Sequence, residues 1–194
     1  MANNITELLQ QAINSKPLQK VNPNTQEVDK SAANTTNASK LQQAVIAAVL
    51  TGMYKITRTH EGASQVLEGN ISTTWGDLLF GESKEVLVSR ITTYSVSSPA
   101  TVDAEIELAG KEASDIIKSN AGGVKTATPD DVITYMKDQR NNILHYLPAA
   151  LQLGALLDDD TLDDHTNKMD GPISGLMHSI EKAFSGTPPA DETK

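Results

Sequence analysis

Apolar residues recur along this chain at intervals of three and four, the spacing of one helix face, and nowhere alternate convincingly as a strand would. Ile5, Leu8, Leu9, Ala12 and Ile13 make one such stripe, so residues 4–14 are expected to form a short amphipathic helix. From Lys16 to Ala38 the pattern stops. Asn, Thr, Ser, Lys and Gln take over with Pro17, Pro23 and the turn-forming Asn22-Pro23-Asn24, which reads as a linker or mobile loop. Helical spacing returns with Ser39 as a candidate N-cap and runs to about Thr59. Its centre, from Ala44 to Leu50, is apolar on nearly every side, which places this helix in the middle of the fold.

A glycine-punctuated stretch from Gly62 to Gly81 follows, in which Thr73 or Thr74 starts a short helical piece through Trp75, Leu78, Leu79 and Phe80. Ser83 is expected to cap residues 85–97, with Leu87, Ile91 and Tyr94 on one side. Ser98-Pro99 repeats the start signal, because proline at the first helical position lacks an N–H that would have no helical partner anyway. The helix it opens, to Ser119, carries a narrow seam of Val102, Ile106, Ala109, Ala113 and Ile116, with Glu107 and Lys111 spaced for an ion pair. Asn120 to Gly123 ends it, and Thr128-Pro129 with Asp131 opens the next. That helix holds Val132, Ile133, Met136, Ile143, Leu144 and Leu147 and must break at Pro148, since the residue before proline is pushed out of the α region. An apolar continuation over residues 149–157, an acidic loop and a last helix over residues 172–184 complete the pattern.

The expected fold class is therefore all-α, a single compact multihelical domain with a short N-terminal helix on a flexible linker. The domain reading is residues 1–15 as the N-terminal helix, 16–38 as linker, 39–186 as the multihelical domain and 187–194 as a disordered tail rich in proline and polar residues. Composition narrows the functions. With 194 residues, 38% of them hydrophobic and 4% aromatic, the chain can build a lean core but not a large aromatic pocket. A net charge of −9 with no clustered Lys/Arg repels nucleic-acid phosphates. No cysteine means no disulfide, thiolate metal site or cysteine nucleophile. The longest apolar run, Ala44 to Leu50, falls far short of the ~20 residues a bilayer span needs, and the N-terminus has no basic-then-apolar leader pattern. A cytoplasmic location is the expectation. The Asn-x-Ser/Thr matches at Asn4, Asn34, Asn37 and Asn70 are then accidents of an Asn- and Thr-rich composition.

Three segments together resemble the YidB-like family of bacterial helical proteins, whose biochemical role is uncharacterised. They are Gly76-Asp-Leu-Leu-Phe-Gly81 leading into a helix; Gln139 with Ile143, Leu147, Pro148 and Leu151; and the continuation from Leu153 to Leu157. The similarity spans residues 40–180 in outline, and the chain departs from it with an acidic insertion from Asp158 to Asp164. The resemblance implies a compact multihelical domain and brings no catalytic residue with it.

Each patch of possible chemistry has a structural alternative. Asp158 to Asp164, with His165 and Asp170, is the densest set of oxygen ligands and could hold Mg²⁺ or Ca²⁺ loosely, but it lacks the order of a calcium loop and the glutamate that closes one. A solvated acidic loop is expected, with Asp160 or Thr161 capping a turn. Gly76 to Ser83 mimics phosphate-loop spacing, yet Glu82 stands where the lysine belongs and no strand precedes it, so a packed turn is expected. His60, His145, His165 and His178 fall in separate segments. His60 beside Glu61 could act as a base with its orienter, but reads as a surface group at a helix end. Trp75 and Tyr94 could stack a ligand but stand at positions that core residues occupy.

No residue is assigned as catalytic, cofactor-binding or metal-ligating, and no cofactor is expected. The function expected is a protein-protein interaction or scaffolding module, with a protein partner or a second copy and no nucleic acid or membrane, and with the outer face of the N-terminal helix as contact. The alternative is a small-ligand binder or enzyme with a site near the loop from Asp158 to Asp164.

Overall fold

The computed structural model describes residues 3–21, 36–69, 73–159, 161 and 162. Among them every regular element is helical: α1 (Ile5–Ala12), α2 (Asn37–Ile56), α3 (His60–Glu68), α4 (Trp75–Phe80), α5 (Lys84–Ser95), α6 (Pro99–Asn120), α7 (Pro129–Leu144) and the single-turn α8 (Leu153–Leu156). The protein is an all-α domain. The middle of the expected linker, the last helix and the tail lie outside the described residues.

Hydroxyl caps set the helix starts. Thr36, Thr59, Thr74, Ser98 and Thr128 each accept the backbone N–H three residues on, from Ser39, Gly62, Asp77, Thr101 and Asp131. At Thr128 the cap is reciprocal, because Asp131 Oδ2 accepts the Thr128 N–H at 2.9 Å. These bonds, from the Thr128 side chain first and its backbone second, hold the Asp131 carboxyl below its usual pKa. α2 is thus capped by Thr36 rather than Ser39. Ser83 caps nothing: its hydroxyl donates to the Leu156 carbonyl at 3.1 Å, and α5 grows directly out of a 3₁₀ turn over Gly81–Ser83. α5 also stops two residues earlier than expected, where Val96 turns left-handed at φ 54°.

α2 is the central helix. Leu41, every residue from Ala44 to Leu50, and Met53 are buried among α6, α5, α7, α1 and α4. The seam of α6 is Val102, Ile106, Ala109, Gly110, Ala113 and Ile117, so its last step is four residues and Ile117, not the half-buried Ile116, closes it. Gly110 lies against Trp75 at the start of α4. The expected Glu107 to Lys111 ion pair gives way to a different use of the carboxylate. Glu107 Oε2 and Oε1 accept the N–H groups of Trp75 and Gly76, both at 2.8 Å, capping α4 from a neighbouring helix. Glu107→Ala is expected to lower stability by ~0.5–2 kcal/mol, as loss of an N-cap does, measured by urea denaturation.

α1 belongs to the core. Ile5 and Leu9 are fully buried; the Ile5 N–H donates to Gln139 Oε1 at 3.0 Å and the Thr6 hydroxyl to the Asn142 carbonyl at 3.2 Å. Its apolar face is taken by α2, α6 and α7, so it is not the contact surface that the stripe and the linker together suggested. The chain after it is tied down as far as it is described. Buried Gln43 accepts the Gln19 N–H at 2.8 Å and donates to the carbonyls of Gln19 and Tyr146, and the Val21 N–H donates to the His145 carbonyl at 2.8 Å.

The break at Pro148 is present, with α7 ending at Leu144. Beyond it the chain makes a 3₁₀ turn (Ala149–Leu151) and then α8, not one helix over 149–157, because Gln152 is left-handed at φ 47°. Arg90 satisfies the carbonyls this break frees, reaching Leu151 O at 2.7 Å and Gln152 O at 3.0 Å. Tyr146, Leu147, Leu151, Leu153, Leu157 and Leu162 bury their side chains at this end.

Candidate functional site

The last turn of α2 and the middle of α7 leave an open groove between them. Tyr54, Thr57 and Arg58 face it from the first helix and the turn after it, and Ile133, Met136 and Lys137 from the second, around a cavity of ≈ 260 Å³. The spacing explains the placement: 54, 57 and 58 share a face at steps of three and four, as do 133, 136 and 137. Met136 is buried beneath the groove, Tyr54 and Ile133 are half-buried, and the cationic heads of Arg58 and Lys137 stand at the rim. The Thr57 hydroxyl is turned inward and donates to the Met53 carbonyl at 2.7 Å, so the floor is apolar in effect.

Arg58 is held in place on both sides. Its guanidinium lies 4.6 Å from the centre of the Tyr54 ring, a cation-π contact. It also pairs with Asp159 Oδ2 at 2.7 Å and donates to the Thr161 hydroxyl at 3.0 Å. Asp159 Oδ1 in turn accepts the N–H and hydroxyl of Thr161, at 3.0 and 2.6 Å. Arg140 donates to the Thr161 carbonyl at 2.6 Å, and Lys55 to the carbonyl of Leu157. Burial pushes the Asp159 carboxyl up, but the Thr161 hydrogen bonds and the Arg58 charge outweigh it and leave the pKa lowered. The clasp is therefore intact at neutral pH and is lost only in acid, as the carboxyl protonates below the ordinary aspartate range.

This arrangement decides the reading of the acidic stretch as far as it is described. Asp159 points inward as a structural anchor, and Thr161 closes its turn. Asp160, Asp163, Asp164, His165, Asp170 and His178 lie outside the described residues. Among the described residues no three His, Asp or Glu side chains converge to hold a metal. His60 opens α3 and is exposed beside exposed Glu61; His145 is exposed at the C-cap of α7. Gly76 to Ser83 is a packed helix and turn with Trp75, Leu79 and Phe80 buried. Asp77 in it is held below its usual pKa first by the Thr74 hydroxyl and then by Lys84, 3.2 Å away.

Sequence reasoning counted Ile133 and Met136 as core and passed over Tyr54, Arg58 and Lys137. The available signal was a tyrosine and an arginine four apart where the apolar run of α2 gives out. No helix among the described residues is long and apolar enough to cross a membrane. Comparison of the chain with family models, with curated proteins and with solved structures found no match.

Proposed function

We propose that this protein is a protein-interaction module that seats one apolar side chain of an acidic partner segment in the groove between α2 and α7. The observation that carries this reading is the groove's make-up: an apolar floor of Tyr54, Ile133 and Met136 beneath a rim of Arg58 and Lys137. Its size favours a side chain over a whole small molecule, since ≈ 260 Å³ lies below the ~300–1,000 Å³ typical of ligand pockets. Methionine and tyrosine suit such a surface, the first because it repacks around different shapes and the second because it offers area at low entropic cost. Lys137, which has no ion-pair partner among the described residues, selects for a carboxylate flanking the anchor, while Arg58 is already paired with Asp159 and shapes the rim. The kinship with YidB-like proteins belongs to the same proposal; it is supported by the helix over Trp75–Phe80 and the break at Pro148, where the resembling residues are structural.

The test is fluorescence anisotropy with labelled peptides that carry Leu, Met or Phe between aspartates and glutamates. Saturable binding should weaken about tenfold in Lys137→Glu, the size expected when a rim attraction is reversed to repulsion, and more at low salt. Peptides with the flanking acids changed to lysines should not bind. Equal binding of acidic and basic peptides, or no effect of Lys137→Glu, would contradict the reading.

A further inference from the structure

A second cleft, of ≈ 170 Å³, opens on another part of the molecule between the segment that follows α1, the first turn of α2 and Tyr94 of α5. Lys16 and Lys40 both line it, together with Ser39 and Tyr94, and no carboxylate among the described residues does. Acidic residues outnumber basic ones in this chain, 25 to 16, so two lysines meeting without a counter-charge go against its composition. Among the described residues neither lysine has an ion-pair partner. The juxtaposition is imposed by the fold. Gln43, buried at the base of the cleft, grips the N–H and carbonyl of Gln19, and the Ser15 hydroxyl bonds Gln42 Oε1 at 3.0 Å. These ties hold the backbone around Lys16 against α2 although like charges repel.

We infer that this cleft is a binding site for a phosphate-sized oxyanion, held between the ammonium groups of Lys16 and Lys40 with the hydroxyls of Ser39 and Tyr94 as further donors. The anion supplies a counter-charge that no described residue offers the two lysines, and its oxygens accept from groups on three separate segments. The site is independent of the groove between α2 and α7, shares no residue with it, and stands or falls separately.

Backbone-amide NMR of the full chain, titrated with inorganic phosphate at constant ionic strength, tests the inference. Gln19, Ser39, Lys40 and Gln43 amides should shift together and saturate in the millimolar range, the affinity expected of a small anion on a partly open site. Lys16→Gln with Lys40→Gln should raise the half-saturation concentration at least about tenfold while leaving the thermal melt unchanged, since neither side chain is core. Lys137→Gln, at the other groove, should change nothing. A parallel titration with glycerol 3-phosphate distinguishes a free ion from an esterified phosphate: equal half-saturation assigns the site to the ion, tighter binding to the ester, and either supports it. Shifts that rise linearly without saturating, or that persist in the double variant, would overturn it.

Discussion

Leu9→Ala is expected to lower folding stability by ~2–5 kcal/mol, the range for removing a fully buried leucine from a packed core. The argument is local. α1 is only eight residues long, and an isolated helix of that length does not hold in water, so its structure depends on what Ile5 and Leu9 touch. They pack into the core formed by α2, α6 and α7, and Gln139 and Asn142 of α7 fix the register through the Ile5 N–H and the Thr6 hydroxyl. Urea denaturation should show an earlier midpoint with an unchanged slope. Leu8→Asp, at a half-buried position, should cost less than Leu9→Asp, which places an unpaired charge in the core. An unchanged midpoint for Leu9→Ala would mean that α1 does not dock.

Gly110→Ala should be destabilising by ~1–3 kcal/mol, against the usual sign. On an open helix surface this change gains about 1 kcal/mol from helix propensity. Here the added methyl would stand 2.5 Å from Trp75 Cγ and 2.6 Å from its Cβ, contacts that no rotation of the ring relieves because the Cβ is itself in the way. α4 and α6 must therefore separate, and the Glu107 bonds to the start of α4 stretch with them. Combining Gly110→Ala with Trp75→Ala should show coupling in a double-mutant cycle, the second change costing less once the first is present. Additive effects would mean that the two helices are not packed through this pair.

Much of the helical frame was legible because helices declare themselves locally. The run from Ala44 to Leu50 had to be central, since apolar residues on every side leave no face for water, and the Thr128-Pro129-Asp130-Asp131 box and Ser98-Pro99 marked starts that the structure keeps. Errors came where the deciding partner is distant in sequence. α3 is the exception: it was lost among glycines although its signals are local, Thr59 capping it and Gly69, at φ 62°, ending it. Glu107 looked like half of an i,i+4 pair because periodicity cannot see the free N–H groups of α4 beside it. α1 looked detachable because the polar stretch behind it has no pattern, yet Gln43 and His145 tie its first part at the backbone of Gln19 and Val21, which composition does not report.

The groove was harder still. Ile133 and Met136 read as core by spacing and do pack in or against the core, but spacing could not show that they also underlie a groove, which opens among the described residues where α2 ends at Ile56. Arg58 gains its position from Asp159 and Thr161, about a hundred residues away, which also turns the first described part of the acidic stretch from a candidate ligand set into an anchor.

Methyl NMR of the methionines tests the central claim most directly. Met136 is almost wholly buried but lines the groove, whereas Met53, the residue before Tyr54 and also fully buried, does not line it and serves as the internal reference. Titration with an acidic peptide bearing a central apolar residue should move the Met136 methyl resonance to saturation and leave that of Met53 in place. A peptide that binds while the Met136 methyl stays unmoved would contradict the account.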